Sequence, residues 1–451
     1  MQNSNLWVEV QKILVNEDII FDAACFTISY TRIGGYLGRP YSPTLSLQEK
    51  IRTSEIKGIW RWWARVLLAT ALYNKGYNVT NLQKLDKYIS ETIGGEKNPS
   101  KFILKISCKE IRERDKISPS RIQEIPRIKL LLRLRKEEQK QYKPYEIKKL
   151  ETLININYNF QLTVIKSQCN IDRREMDFAL YSLVLALLLS GTGSLLNRGF
   201  GKIKIDLKVC INDELRESLK RLYSSKNEED VRNNLNSFIK NAINSAERYL
   251  LFLEENKKLD YAKLSGSNKE PIIPMFIDDY FKLEILKVPE NKQGDILKCI
   301  GKSTSKLEWK SYRLYKSTTE NLDSKKKEEV YKEHGIQYHT WILGMPRSSE
   351  VEGTTTGYIG IDRRISSVAF SLLKSNLNVY YIIIYGFLTY DWKNSIEYKG
   401  KDEGKVFEIL ENKGALNPVE NSIIKPANIR NVFEIAFETS KTILEKCLAL
   451  R

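Results

Sequence analysis

The sequence predicts an α+β protein whose N-terminal half follows the ferredoxin-like element order β-α-β-β-α-β. Three observations support this class: short runs rich in β-branched and aromatic residues, one long helical period after the first run, and one almost wholly apolar helix before the last run. Sheets with this arrangement also bind single-stranded RNA. With 451 residues, the chain is long enough for two or three domains.

The predicted elements of the N-terminal half are separated by one long insertion. The first helix opens at Thr53 and Ser54, which are candidate caps, and keeps its period for about five turns. A basic region near 109–150 is either an amphipathic helix or a mobile arm inserted between strands. The expected strands are at 19–33, 101–108, 154–166 and 202–209, and the apolar helix is at 174–190.

The second half of the chain is less regular. Residues 213–256 are expected to form one or two polar-faced helices, and a charged stretch near 316–338 is expected to be a mobile surface loop. A second copy of the ferredoxin-like unit is one interpretation. Its expected elements are strands at 281–288, 340–343, 366–373 and 379–388 and a helix at 429–448. We therefore predict domains at 1–211 and 259–451, joined by a helical connector at 212–258.

The charge balance is strongly basic. Lys and Arg exceed Asp and Glu by 73 − 56 = +17. A polyanionic partner such as nucleic acid is one explanation, and a solvated, thermally adapted surface is the other. The excess is uneven, since residues 101–150 hold 16 basic against 7 acidic residues, 16 − 7 = +9. This concentration favours the polyanionic partner.

Cysteine usage and hydropathy indicate an intracellular protein. Six cysteines are scattered without a C-x-x-C pair, which is typical of reduced cytosolic thiols and offers no zinc site. The N-terminus lacks the regions of a signal peptide, and the apolar run Phe178 to Leu189 is shorter than the roughly 20 residues that span a bilayer. We expect a cytoplasmic protein with no membrane partner, no metal site and no cofactor.

A glycine-rich segment, SGTGSLLNRGFGKIKI at 190–205, joins the apolar helix to the last strand of the N-terminal half. Glycine is favoured where φ is positive or where another group approaches the backbone, and here glycines lie on both sides of Arg198. Either loop amides and the guanidinium hold an anion, or the turn simply lets the helix pack tightly on the strand. Because the helix precedes the strand, the segment is neither a Walker A loop nor a dinucleotide fingerprint.

The long first helix has two distinct faces. Ile56, Trp60 and Trp63 fall on an apolar face, whereas Lys57, Arg61 and Arg65 recur every four residues on another. Such a stripe is suited to a phosphate backbone, and the alternative is an ordinary solvated helix face.

Three stretches resemble the RAMP superfamily of CRISPR effector proteins. They are the helix RTSEIKGIWRWWARVLL preceded by Gly34 and Gly35, the loop ending NRGFGKI, and the later motif IDRRISSVAFSLLK. The pattern Arg-x-Ser-x-x-x-Gly-x-x-Arg-x-Trp beginning at Arg52 is similar to that of the first-numbered RAMP subunit of the type III-B Cmr complex. This resemblance implies two ferredoxin-like (RRM-like) domains and a non-catalytic position near the 3′ end of a guide RNA, where the subunit caps a RAMP filament in antiviral defence.

The resemblance also implies which residues face RNA. Carried over by position, they are Gly34, Gly35, Arg52, Ser54, Lys57, Arg61, Arg65, Gly193, Arg198, Gly199, Gly201, Lys202, Arg363 and Arg364. The implied partners are guide (CRISPR) RNA, target RNA and the other RAMP subunits. This chain departs from the family in having Leu195, Leu196 and Asn197 where basic residues are usual. We therefore expect the loop to divide its role between anion binding and a protein contact.

Catalysis has weaker support in the sequence. Metal-independent RNA cleavage usually needs histidine as acid or base, and the chain has only His334 and His339. The pair Asp278 and Asp279 is the one compact acidic pair that suggests metal-dependent cleavage, although such pairs are typical of turns. The alternative to an RNA-binding subunit is thus a metal-independent RNA endonuclease of the same superfamily that processes guide precursors.

Overall fold

The structure is a computed structural model. It describes residues 18–33, 41–42, 47–117, 125, 153–167, 170–261, 270–332, 338–344, 348–351, 354–359, 366–392, 395–399, 405–408, 410 and 428–450. Most of the basic insertion, both Gly34 and Gly35, and the motif arginines Arg363 and Arg364 lie outside the described residues.

The first half of the chain forms a four-stranded antiparallel sheet with helices packed on it. The four strands of this sheet are β1 (Ile19–Thr27), β4 (Phe102–Cys108), β7 (Asn159–Lys166) and β8 (Ile203–Cys210). Two separate short pairs are formed by β2 (Tyr41–Ser42) with β3 (Leu47–Gln48) and by β5 (Lys116–Ile117) with β6 (Leu153–Ile154). Its helices are α1 (Thr53–Asn74), α2 (Leu82–Ile93) and α3 (Arg173–Leu185), which continues as a π-helical segment over Ala186–Ser190. The strand order in the sheet is β4-β7-β1-β8.

The order of these elements agrees with the predicted β-α-β-β-α-β sequence, with α2 as an added helix. Asn81 caps α2 by accepting a hydrogen bond from the Lys84 amide at 3.1 Å, and Leu85, Ile89 and Ile93 are buried at helical spacing. The cap and the apolar spacing are both visible in the sequence, but the prediction did not include this helix. The cap of α1 was also predicted wrongly, since Arg52 stands at its N-cap without a side-chain hydrogen bond to the helix.

The apolar patterns explain the packing of both main helices. Ile56, Trp60 and Trp63 of α1 are buried, and Trp60 Nε1 donates to the Ala179 carbonyl of α3 at 2.9 Å. All residues of α3 from Phe178 to Leu185 are buried, as expected for a helix that is apolar on every side. The two helices therefore fill the core that holds the glycine-rich segment in place.

The second half contains two further sheets and most of the remaining helices. Its strands are β9 (Phe281–Lys287), β10 (Ser348–Val351), β11 (Thr354–Ile359), β12 (Val368–Lys374), β13 (Tyr380–Phe387), β14 (Ser395–Lys399) and β15 (Lys405–Glu408). The helices are α4 (Asp213–Tyr223) and α5 (Glu228–Glu255) at the predicted connector, then α6 (Ile296–Ser303), α7 (Lys306–Tyr315), α8 (Ser324–Lys332) and α9 (Ile429–Cys447). The sheets have the antiparallel orders β12-β13-β9 and β10-β11-β14-β15.

The central strand β13 is buried on both faces. Tyr381, Ile383 and Tyr385 join the core of the first half, whereas Ile382 and Ile384 join a second core. Because alternate side chains of a strand point to opposite faces, the β12-β13-β9 sheet is packed between the helices of the first half and α9. This burial explains the apolar run in the sequence and places these tyrosines in protein cores.

Three predictions in the second half were wrong. Residues 340–343 form a 3₁₀ helix instead of a strand, and the charged stretch expected to be a mobile loop contains a 3₁₀ turn and α8 within its described residues. Cys299 and Cys447 form a disulfide that ties α6 to α9, so the cysteines are not all reduced thiols. Their separation of 148 residues hides this pairing from sequence inspection.

Candidate nucleic-acid interface

The four glycines of the segment 191–201 are required by close approaches of the backbone. Gly191, Gly193, Gly199 and Gly201 have φ values of 83°, 98°, 79° and 67°. A Cβ atom at Gly191 would lie 2.0 Å from the Gly201 carbonyl oxygen, and one at Gly193 would lie 2.6 Å from the Arg32 carbonyl oxygen. Tight packing of the chain on itself accounts for these glycines without any ligand.

The amides of the glycine-rich segment are mostly used inside the protein. The Thr192 amide donates to the Gly201 carbonyl at 2.8 Å, and the Gly201 amide donates to Tyr30 at 2.9 Å. The Ser194 amide donates to the Arg32 carbonyl at 2.8 Å. These amides cannot also serve an external anion, which corrects the expectation that the loop amides hold one.

The segment does bind an anionic group, which is the side chain of Glu55 in the first turn of α1. Glu55 Oε1 accepts from Thr192 Oγ1 at 3.0 Å and from the Gly193 amide. Burial raises the pKa of Glu55, while the two hydrogen bonds and nearby Arg52 lower it, with a net upward shift. The loop and the start of α1 are thus fixed to each other.

The end of the segment lies against the second half of the chain. Arg198 Nη2 donates to the Leu343 carbonyl at 2.8 Å, and the Asn197 carbonyl accepts from the Phe370 amide at 3.2 Å. A Cβ at Gly199 would meet Ile300 Cδ1 at 2.7 Å. These residues of the loop therefore make their contacts within the same chain, and a contact of Leu195 and Leu196 with a neighbouring subunit stays a prediction.

Lys202 is completely buried. Its Nζ donates to the Leu189 carbonyl at 2.6 Å and to the Ser190 carbonyl at 2.9 Å, at the end of the π-helical segment. Burial lowers its pKa well below the ordinary value. The amine at this position donates to the last carbonyls of the helix, and because it does not reach the surface we exclude Lys202 from the candidate interface.

The first turn of α1 is the most accessible part of the predicted site. Thr53, Ser54 and Gly58 are exposed, and Lys57 is half-buried beside them. Burial and the neighbouring charge of Arg61 lower the pKa of Lys57. A cation that is destabilised by another cation marks an electropositive surface.

The rest of the helix stripe is partly occupied by protein partners. Arg61 Nη1 donates to the Gly94 carbonyl at 2.9 Å, and Arg65 forms an ion pair with Asp86 of α2. The structure therefore brings Arg52, Ser54, Lys57 and Arg61 together at one end of α1, with Arg65 farther along.

The described residues among those considered for catalysis are not arranged as a reactive group. Burial and Arg313 lower the pKa of His339 to about 4. His334 lies outside the described residues, and Asp279 lies 4.0 Å from Arg430 Nη1. No group of three or more His, Cys, Asp or Glu residues is placed to hold a metal ion within the described ranges.

Comparison with known proteins shows which family this chain resembles. The profile of the RAMP superfamily matches residues 47–204, which include α1 and the glycine-rich segment. The resemblance to this superfamily that the motifs predicted is therefore confirmed over that region. The chain is also similar to the CRISPR system CMR subunit Cmr1 of Saccharolobus solfataricus, with 23% identity in an alignment 439 positions long that covers 79% of this chain and 92% of the relative.

Solved structures share the fold of this chain. One is a chain in the cryo-EM structure of the type III-B Cmr-beta complex bound to cognate target RNA and AMPPnP, with a TM-score of 0.59, 16% identity and coverage of 95% of this chain and 100% of that one. Another, from Cmr-beta bound to cognate target RNA, has a TM-score of 0.55, 16% identity and coverage of 94% and 100%. The likeness supports the mixed α/β fold with antiparallel sheets. In the described part of the chain, no helix is both long and apolar enough to span a bilayer.

Proposed function

We propose that this chain is a non-catalytic RNA-binding subunit of a type III-B CRISPR ribonucleoprotein. It would contact guide or target RNA near the guide 3′ end and cap the filament of RAMP subunits. The similarity to a CMR subunit and to chains of target-RNA-bound Cmr-beta supports this assembly. The observation that carries RNA binding is the exposed first turn of α1, with cationic side chains beside it.

The first turn of α1 has the features of a phosphate site. The first N–H groups of any helix lack intrahelical acceptors, and Arg52 at the N-cap supplies no side-chain hydrogen bond to them. The helix dipole favours negative charge at this end. Ser54 adds a hydroxyl donor, and Lys57 and Arg61 add positive charge.

The strand order of the second half supports a duplicated ferredoxin-like unit. In the first half the second, third, first and fourth strands along the chain lie side by side in that order, as β4-β7-β1-β8. In the second half, β12, β13 and β9 are the second, third and first strands of an equivalent series and have the same neighbours. We include two such units in the proposal.

A negative charge introduced at Ser54 tests the RNA contact. Ser54→Asp places a carboxylate in the first turn, where it is compatible with the helix dipole and repels phosphate. We expect weaker binding of a labelled single-stranded RNA and a shallower dependence of affinity on salt. Ser324→Asp, at the exposed start of α8, is the matched control because it adds the same charge to a comparable position. Equal effects of both variants would remove α1 from the site.

The non-catalytic part of the proposal is tested separately. A histidine with a pKa near 4 is neutral at physiological pH and is a poor general acid there. We expect labelled RNA to stay intact when it is incubated with the purified protein and EDTA. A defined cut that disappears in His339→Ala would instead establish the endonuclease.

A further inference from the structure

A basic groove lies along the open edge of the first sheet, away from the residues assigned above. It has a volume of about 700 Å³ and runs between β8, α4 and the turn that joins β12 to β13. Four cationic side chains line it, Lys204, Lys208, Arg216 and Lys220, against one acidic side chain, Asp206. The lining therefore carries 4 − 1 = +3, and the charge is still positive, 4 − 3 = +1, when the carboxylates that pair with Arg216 and Lys220 are counted.

Lys204 lies close enough to Lys374, a cation beside the groove, for the two charges to repel each other. Burial lowers the pKa of Lys204, and Lys374 lowers it further, whereas Asp206 opposes the shift. Lys204 Nζ is held at 2.8 Å from Asn376 Oδ1 and at 5.5 Å from the centre of the Tyr223 ring. Because these two contacts are with neutral groups, they do not compensate the charge of Lys204.

Lys220 can reorient toward a ligand at little cost. It pairs with Glu217 at 2.7 Å as a surface pair three residues apart on α4. Exposed pairs of this kind contribute only about 0–1 kcal/mol, so exchanging this partner for a phosphate costs little. Arg216 is held more firmly, because it pairs with Asp213 at 2.8 Å and its Nη2 also donates to the Cys210 carbonyl.

The geometry of β8 decides which class of ligand fits. β8 is the outermost strand of its sheet, so an extended peptide is one candidate for the groove. However, the Ile205 amide on this edge donates to the Tyr223 hydroxyl at 2.9 Å, and that hydrogen bond interrupts the ladder a peptide would use. Phe26 of β1 adds an aromatic surface to the lining. Cations beside an aromatic surface are typical of sites for single-stranded nucleic acid.

We infer that this groove is a second RNA-binding site, which holds the phosphates of a single strand between β8 and α4. The inference rests on the proposed RNA-binding function and extends it from α1 to a separate surface. A strand that contacts both surfaces would bind with more phosphate contacts than either surface alone provides.

The groove is tested with Lys208→Ala/Lys220→Ala in the full-length protein. Binding of a fluorescent single-stranded oligouridine is measured by anisotropy over a range of salt concentrations. Loss of two phosphate contacts should weaken binding roughly tenfold at moderate salt and reduce the slope of log affinity against log salt by about 1.4. The control is Lys75→Ala/Lys332→Ala, which removes the same charge from exposed positions outside the groove. It should change affinity less than about twofold.

The outcomes separate this inference from the proposed function. Equal losses in the groove variant and the control would overturn the groove, because net charge alone would explain both. A loss in Ser54→Asp with none in the groove variant would overturn only the groove, and the reverse pattern would overturn only the site at α1. Absence of RNA binding by the unaltered protein would overturn both. Unlabelled oligouridine should compete more strongly than inorganic phosphate, uridine monophosphate or oligoglutamate. Equally strong competition by any of these three would refute a groove that binds a strand.

Discussion

Replacing Glu55 tests whether the glycine-rich segment serves to hold an internal carboxylate. Glu55→Ala leaves the Gly193 amide and the Thr192 hydroxyl without their acceptor. Each unsatisfied group costs about 1–3 kcal/mol when it is buried, and the partial exposure of Glu55 favours the lower end, which gives a loss of about 2–3 kcal/mol. Glu55→Gln keeps a carbonyl oxygen in the same place and should differ from the unaltered protein by less than about 1 kcal/mol.

The raised pKa of Glu55 also predicts how the stability of the protein changes with pH. Because the pKa of Glu55 is raised above 4.5 in the folded protein, the folded state retains this proton to a higher pH than the unfolded state does. Folding stability from this group is therefore lost as pH rises from the unfolded pKa through the folded pKa. Glutamine does not ionise, so Glu55→Gln should gain stability relative to the unaltered protein across that window and keep a constant difference above it.

Urea unfolding at a series of pH values measures both effects. The difference in free energy of unfolding between Glu55→Gln and the unaltered protein is the quantity to follow, with Glu55→Ala as the variant that loses the acceptor. A difference that is independent of pH, or that favours glutamate as pH rises, would refute the interpretation of a buried carboxylate held by the loop. Equal stabilities of the alanine and glutamine variants would show that the two hydrogen bonds contribute nothing.

Two further predictions concern the stability of the fold. Replacing Cys299 and Cys447 by serine should lower the free energy of unfolding by about 2–4 kcal/mol, because the disulfide closes a long loop in the unfolded chain. Calorimetry measures this loss, and Cys108→Ser is the control that removes a free thiol. An unchanged transition would contradict it. Lys202→Met should remove a rise in stability with increasing pH, since the lowered pKa of Lys202 means that the unfolded chain binds this proton more strongly. Unfolding by urea between neutral and alkaline pH gives the slope, and an identical slope in both proteins would exclude a buried, perturbed lysine.

Much of the N-terminal fold was predictable because local patterns and packing agree there. The apolar face of α1 and the all-apolar α3 are visible as sequence periods, and both helices lie where expected. Residues 340–343 show the limit of such reasoning. TWIL reads as a strand, but Trp341 and its neighbours are buried in a 3₁₀ helix whose carbonyl end receives Arg198. That contact comes from a loop 145 residues away, which no local pattern can reveal.

The sequence predicted which residues belong to the candidate site but not which of them contact protein and which are exposed. The sequence placed Ser54, Lys57 and the glycine-rich segment in one functional group, and the structure does bring them together through Glu55. What the sequence could not show is that the segment faces inward. Its glycines permit tight turns, its amides bind protein oxygens, and Glu55 links it to the helix turn whose outer surface carries Ser54 and Lys57. The anion-binding chemistry of the loop is thus directed to a residue of the same chain, and this contact positions the first turn of α1, where the proposed RNA contact lies.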